Sequence, residues 1–279
     1  MLKLIEEFYN CINAGDYKKA IKLGKKAVKL YPKSVYAYYC LGVAYKLTGQ
    51  LDLALSSFKK AELYAESQED LGNIYNQIGL IYYAKGDYEN ALHYFNRALN
   101  ILADSDDITM LFNLYNNMGM VYNNIGDTDK ALEYYQKASG LKIHEKYKAA
   151  VYHNIALIYD REEDYKKAIK YFKKSIKISE KYKQYHSLAK TMLNLGRLYT
   201  HMKDYEKAIH YLEEGLKIMQ NVGDKYGQAF AYTYLGWYYA DINNKKLAKK
   251  YLLKAHNLFK SAGAEAHAEG VLYSLKELE

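Results

Sequence analysis

The sequence predicts an all-α solenoid, a stack of helical hairpins, and two observations carry that prediction. The first is a repeat. Gly42, Gly79, Gly119, Ala156, Gly196 and Gly236 recur at intervals of thirty-seven or forty residues. Ala54, Ala91, Ala131, Ala168, Ala208 and Ala248 each follow one of them by twelve residues, and Ala20 follows Phe8 by the same step. A fixed period in this range marks a solenoid whose hairpins each bury an apolar face on their neighbours. The second observation is the content of one unit, Tyr75 to Ala98. Tyr75, Ile78, Gly79 and Tyr82 stand at i, i+3, i+4 and i+7, one face of a helix, and Tyr88, Ala91, Leu92, Phe95 and Ala98 form a second such stripe. Between them Lys85-Gly86-Asp87 reads as a turn: Gly86 supplies a left-handed backbone, and Asp87 caps the next helix. Gly79 and Ala91 let the two backbones of the hairpin approach closely.

Taken in order, the hairpins cover approximately residues 2–31, 34–67, 71–104, 107–142, 147–182, 185–222 and 225–261, with a capping helix over 264–278. The first is degenerate, with Phe8 in the glycine slot, yet Gly15-Asp16-Tyr17 and Ala20 restore the register; a terminal repeat lacks one neighbour and tolerates such irregularity. The second turns at Thr48-Gly49-Gln50 and the fourth at Gly126-Asp127. The fifth and sixth place Glu163 and Lys203 where glycine is expected, but Asp164 and Asp204 remain as caps. The seventh turns at Asn243-Asn244, asparagine tolerating the left-handed conformation. In the last helix Ala266, Gly270 and Tyr273 repeat the first-helix stripe, while Glu265, Glu269, Lys276 and Glu277 are polar. No Gly/Ser-rich linker interrupts the period, so the expectation is one array over 1–279.

The pattern of aromatic, two residues, large apolar, Gly, two, Tyr, eight, Ala, three, aromatic, two, Ala resembles the tetratricopeptide repeat over nearly the whole chain. Tyr38, Tyr75, Tyr115, Tyr152, Met192 and Tyr232 replace that family's usual tryptophan, and its late proline appears only as Pro32. The forty-residue spacing exceeds the usual thirty-four or so and is similar to a long-repeat subclass. That subclass includes kinesin light chains, the adaptor linking heterotrimeric G proteins to the spindle, and bacterial peptide-pheromone receptors. The resemblance implies a right-handed superhelical solenoid of about seven hairpins plus the capping helix, with first helices on the concave face and second helices on the convex one. It also implies a non-catalytic scaffold that binds a protein or peptide segment in the groove.

Composition narrows the function further. Half of the residues are hydrophobic, and many of the 34 tyrosines fall in the packing stripes, where they read as core. No apolar run reaches the roughly twenty residues needed to span a bilayer. Glu6 and Glu7 interrupt what would be a signal core, giving a cytoplasmic expectation. Cys11 and Cys40 lack metal-ligand or redox spacing. With no phosphate loop, no H-E-x-x-H and no nucleophile placed beside a base, the reading is no enzyme, no cofactor and no metal. The net charge of +8 comes with lysines crowded on second helices, among them Lys166, Lys170 and Lys173. A solvated face is the preferred account. Nucleic-acid or acidic-surface binding through that convex face, and self-assembly through end repeats, are the alternatives.

Candidate site residues follow from stepping along the first helices beside the packing stripe. Gln77, Asn117, Asn154 and Asn194 occupy one equivalent slot in four successive repeats. An amide offers both donor and acceptor, so a column of amides suits the backbone of an extended peptide; the competing reading is bonding between neighbouring helices. Asn73, Asn76, Asn113, Asn116 and His153 widen the polar strip, and Lys190 and Arg197 flank Asn194 as candidate partners for a carboxylate. Phe230, Tyr234 and Trp237 form an aromatic stripe, either a ligand anchor or core covered by the capping helix.

Overall fold

The computed structural model describes residues 1–102 and 107–278, so the expected end of the third hairpin at Asp104 lies outside the described residues. Fifteen α-helices and one 3₁₀ turn account for nearly all of them, and no strand is found among the described residues. In order they are α1 Leu2–Asn13, α2 Tyr17–Leu30, α3 Val35–Leu47, α4 Leu51–Tyr64, α5 Gln68–Ala84, α6 Tyr88–Leu102, α7 Ile108–Ile125 and α8 Thr128–Gly140. There follow α9 Lys148–Arg161, α10 Tyr165–Lys181, α11 Tyr185–His201, α12 Tyr205–Asn221, α13 Lys225–Asp241, α14 Lys245–Ser261 and α15 Glu265–Lys276. Contacts group the chain into two compact units, Met1–Ile143 and His144–Glu279. In each, every helix packs on its sequence neighbours, and first helices also touch the first helices of the next hairpin.

Local chemistry sets these boundaries. Asp16, Asp127, Asp164, Asp204 and Asp224 cap α2, α8, α10, α12 and α13, each side chain accepting the amide three residues on. Such a bond satisfies an otherwise orphaned helix donor, worth about 1 kcal/mol. The turns need one left-handed residue, which is Gly86 at φ 76° but also Glu163 at 59°, Lys203 at 61° and Asn243 at 60°. Lys183, at φ 54° between α10 and α11, takes the same conformation without any sequence signal for it. The forty-residue period appears as helix length, with α10 to α14 all 17 residues long against 13 and 14 for α3 and α4.

The small slots are close approaches. A Cβ on Gly79 would come within 2.6 Å of the Phe95 ring, on Gly119 within 2.7 Å of Tyr135 and on Gly236 within 2.6 Å of Leu252. The five hairpins with glycine in the slot, Gly42, Gly79, Gly119, Gly196 and Gly236, therefore close a large side chain of the second helix over a bare stretch of the first. Beside this, a stacked tyrosine pair recurs: Tyr82 on Tyr94, Tyr122 on Tyr134, Tyr159 on Tyr171, Tyr199 on Tyr211 and Tyr239 on Tyr251, with centroids 5.3 to 5.8 Å apart. Lys130, Lys167 and Lys207 lie over Tyr122, Tyr159 and Tyr199 while pairing with the capping aspartates Asp127, Asp164 and Asp204. Ring pairs of this kind are worth roughly 0.5 to 1.5 kcal/mol beyond their area. Ten of the 34 tyrosines thus serve hairpin closure through these stacked pairs.

Candidate functional site

In the first unit the face formed by α3, α5 and α7 carries the amides, and most of them bond groups of this chain. Asn117 Nδ2 donates to Asn76 Oδ1 at 2.9 Å across α7 and α5, and Asn76 is buried at 5% exposure. Asn124 Nδ2 donates to the Tyr83 hydroxyl at 2.6 Å. Gln77 Oε1 accepts from Lys46 Nζ at 2.5 Å; burial pulls the Lys46 ammonium below its ordinary pKa. Burial, helped by the nearby Tyr9, pushes Tyr39 up to about 12 against the opposing hydrogen bond from Gln77. Asn73 returns its Nδ2 to the Glu69 carbonyl of its own helix at 3.0 Å, Asn116 approaches Met120 Sδ at 3.6 Å, and Asn113 is exposed.

In the second unit the corresponding face of α9, α11 and α13 is built differently. His153, placed by the sequence on the polar strip, is buried at 4% exposure, its Nδ1 3.0 Å from Thr191 Oγ1 and its Nε2 without a partner. Burial, aided by the Lys190 charge, lowers its pKa to about 3. One step of about 100° around a helix separates it from half-buried Asn154, and that step turns it from the face into the seam with α11. Asn194 donates to the Lys190 carbonyl at 3.1 Å and accepts from the Tyr234 hydroxyl at 3.4 Å. Lys190 is exposed, whereas the Arg197 guanidinium pairs with Asp160, whose side chain is 9% exposed. Asp160 is the site residue the sequence did not suggest; the signal available was only an acidic residue one hairpin upstream and one turn further along its helix.

Phe230, Tyr234 and Trp237 line adjoining cavities. One of about 430 Å³ lies between Trp237, Tyr234 and Phe230 on α13 and Ala266, His267 and Gly270 on α15. A second, of about 490 Å³, shares Phe230 and Tyr234 and continues past Asn194, Lys190 and Leu157. A third, of about 290 Å³, joins them at Arg197 and Leu157 and reaches Asp160. The helix α15 forms a wall rather than a lid: Trp237 donates from Nε1 to Ser274 Oγ at 3.2 Å and stays 42% exposed. Tyr234 and Trp237 lie with centroids 5.5 Å apart, and Phe230 packs edge-on against Phe259 and His267. Burial raises the Tyr234 hydroxyl pKa. Such a surface can take an apolar or aromatic side chain flanked by polar backbone. Among the described residues no group of three or more His, Cys, Asp or Glu is placed to hold a metal ion, and no helix is long and apolar enough to cross a membrane.

The hairpin geometry accords with comparison to known families, where the tetratricopeptide-repeat model matches residues 34–104, 110–181 and 187–261 and a TPR-repeat model matches 11–49. The chain belongs to the tetratricopeptide-repeat family. No curated protein matches its sequence significantly. Among solved structures, the APC/C hetero-tetramer Cut9–Hcn1 aligns at a TM-score of 0.74 and 19% identity over 97% of this chain. That alignment spans 48% of the Cut9–Hcn1 chain, so this chain is about half its length. The apo quorum sensor NprR from B. thuringiensis aligns at 0.72 and 18% identity, covering 99% of this chain and 86% of its own. A Rap protein complexed with competence and sporulation factor aligns at 0.65 and 17% identity, covering 99% and 96%. At these identities the likeness establishes the fold alone, an all-α repeat solenoid; the family match adds that this is a repeat fold typical of protein–protein interaction scaffolds.

Proposed function

We propose that this tetratricopeptide-repeat protein is a non-catalytic scaffold that binds an extended segment of a partner protein along the first helices of the second unit, anchored between Phe230, Tyr234 and Trp237. The observation that carries this reading is the set of three adjoining cavities on α9, α11, α13 and α15, with aromatic walls and an exposed ammonium at Lys190. Large, partly exposed aromatics that flank a concavity are where binding energy concentrates. An amide has two donor hydrogens and two acceptor lone pairs. The internal bonds of Asn194 therefore leave capacity for a ligand backbone, and Asn154 stands in the same slot one hairpin back. Arg197 serves chiefly to hold Asp160, so Lys190 is the better partner for a ligand carboxylate. Among the structural neighbours, the Rap structure is a complex with competence and sporulation factor, in line with a ligand-binding use of this architecture.

The test is affinity capture with the intact chain, identification of the partner segment, and calorimetry with wild type and Trp237→Ala. The expected loss is about 2 kcal/mol, or roughly thirtyfold in Kd, with an unchanged helical spectrum. Equal affinity of the variant would place binding away from this cleft.

A further inference from the structure

The position four residues after the small slot of a first helix carries Lys46, Tyr83, Asn123, Asp160, Thr200 and Ala240 in successive hairpins. Two of these are charged, and they differ in what answers the charge. Asp160 pairs with Arg197, the residue just past the small slot of the following first helix, α11. On α5 that place is held by Leu80, so the following first helix offers Lys46 no opposite charge there. Lys46 Nζ donates instead to the neutral Oε1 of Gln77 at 2.5 Å, and among the described residues it enters no ion pair. An ammonium carries three N–H donors, of which Gln77 takes one. Tyr39, Val43 and Lys46 stand at i, i+4 and i+7 on α3, and the same Gln77 side chain bonds the Tyr39 hydroxyl. Burial alone holds Lys46 below the ordinary lysine pKa, with no carboxylate acting to raise it. Taking an ammonium partly out of water without an opposite charge is unfavourable.

We propose that Lys46, with Gln77 and Tyr39, forms a binding site for one acidic side chain of another polypeptide. The precedent within the molecule is the Asp160–Arg197 pair with its signs exchanged: here the cation stands on the earlier helix, and the incoming carboxylate supplies what Arg197 supplies to Asp160. Gln77 then acts as a positioning residue, holding the ammonium by one donor and leaving two for the ligand. A charged donor meeting a charged acceptor makes the stronger class of hydrogen bond. One formal charge selects a carboxylate, since a phosphate dianion would bring surplus negative charge to a half-buried site with a single cation. Val43 on α3 and Leu80 on α5 are partly buried aliphatics on the same strip, suited to the methylenes of a glutamate and to an apolar residue beside it. The site lies within the first unit and shares no residue with the three cavities of the second, so it is independent of the cleft reading above.

The probe is the capped tripeptide acetyl-Leu-Glu-Leu-amide, with its glutamine counterpart as control, titrated into the intact chain while lysine side-chain methylenes and side-chain amides are followed by NMR. We expect a saturable shift at Lys46, an affinity for the glutamate peptide about tenfold above that for the glutamine peptide, and a rise in the Lys46 pKa on saturation. Lys46→Met should erase the preference for glutamate, read at the Gln77 side-chain amide. Leu80→Glu, which supplies the missing charge from within the chain, should raise the Lys46 pKa with no peptide present and weaken the glutamate peptide at least tenfold. The proposal is overturned if the two peptides bind alike, if the preference survives Lys46→Met, or if Lys46 does not saturate at tens of millimolar peptide. It is also overturned if exposed lysines such as Lys25 and Lys26 respond with the same affinity, which would reduce the effect to general charge, or if inorganic phosphate binds Lys46 more tightly than the glutamate peptide.

Discussion

The same amide slot does different work in the two units. On α5 and α7, Gln77 and Asn117 meet polar neighbours one hairpin back, Lys46 and Asn76, and are drawn into bonds between helices. On α11, Asn194 meets its own helix and Tyr234, while the neighbouring slot is occupied in turn by Leu157, Arg197 and Trp237, around which the three cavities open. Equivalent positions in a repeat therefore share a backbone environment without sharing a role. What a side chain does is decided by what stands one repeat away, because the bond partners are 31 to 41 residues apart.

The largest contrast between the units should appear with pH. His153 lies in the second unit, and its pKa is lowered from 6.5 to about 3 by burial, with the Lys190 charge as the lesser cause. Above about pH 6.5 the ring is neutral both folded and unfolded and contributes nothing. As pH falls through that value the unfolded chain takes up a proton that the folded one refuses, so stability is lost continuously down to about pH 3. At 1.36 kcal/mol per unit the loss is ~2 kcal/mol at pH 5 and ~5 kcal/mol at the lower limit. Amide hydrogen exchange should show α9 to α11 losing protection on acidification, and His153→Gln should flatten that response; an unchanged slope in the variant would break the assignment.

Next in size is the hairpin closure shared by both units. Gly79→Ala forces a Cβ to 2.6 Å from the Phe95 ring, an overpacking that typically costs 1 to 3 kcal/mol. Gly270→Ala, with nothing within 4 Å, should instead stabilise by up to about 1 kcal/mol through helix propensity. Denaturant midpoints of the two variants should move in opposite directions.

A smaller effect separates the amides. Asn117→Ala removes the donor to Asn76, a residue at 5% exposure, and should lower stability by about 1 kcal/mol while leaving partner affinity close to wild type. A large loss of affinity with unchanged stability would mean that the first unit also grips the ligand. Smallest of all, changing Lys166, Lys170 and Lys173 to Gln should shift stability by a few tenths of a kcal/mol each, since all three are exposed. Steeply salt-dependent nucleic-acid binding that those changes remove would overturn the solvated-face account.

The sequence by itself determined the hairpins. The slots, caps and turns are local: Asp164 caps because it precedes Tyr165, and Glu163 must go left-handed because the turn between α9 and α10 has no other residue to do it. The forty-residue period announced extra residues per hairpin, and the structure assigns them in the second unit to helix length. Tertiary structure alone decided the fate of the face. Asn76 and His153 were legible as polar residues beside the stripe, but their burial depends on how far each first helix is rotated against the next, and 100° per residue converts a one-position difference into seam or surface. The pairing of Arg197 with Asp160 and the cleft between α13 and α15 have the same origin. They arise from the packing of one hairpin on the next, and a periodicity that repeats within each hairpin carries no record of that rotation.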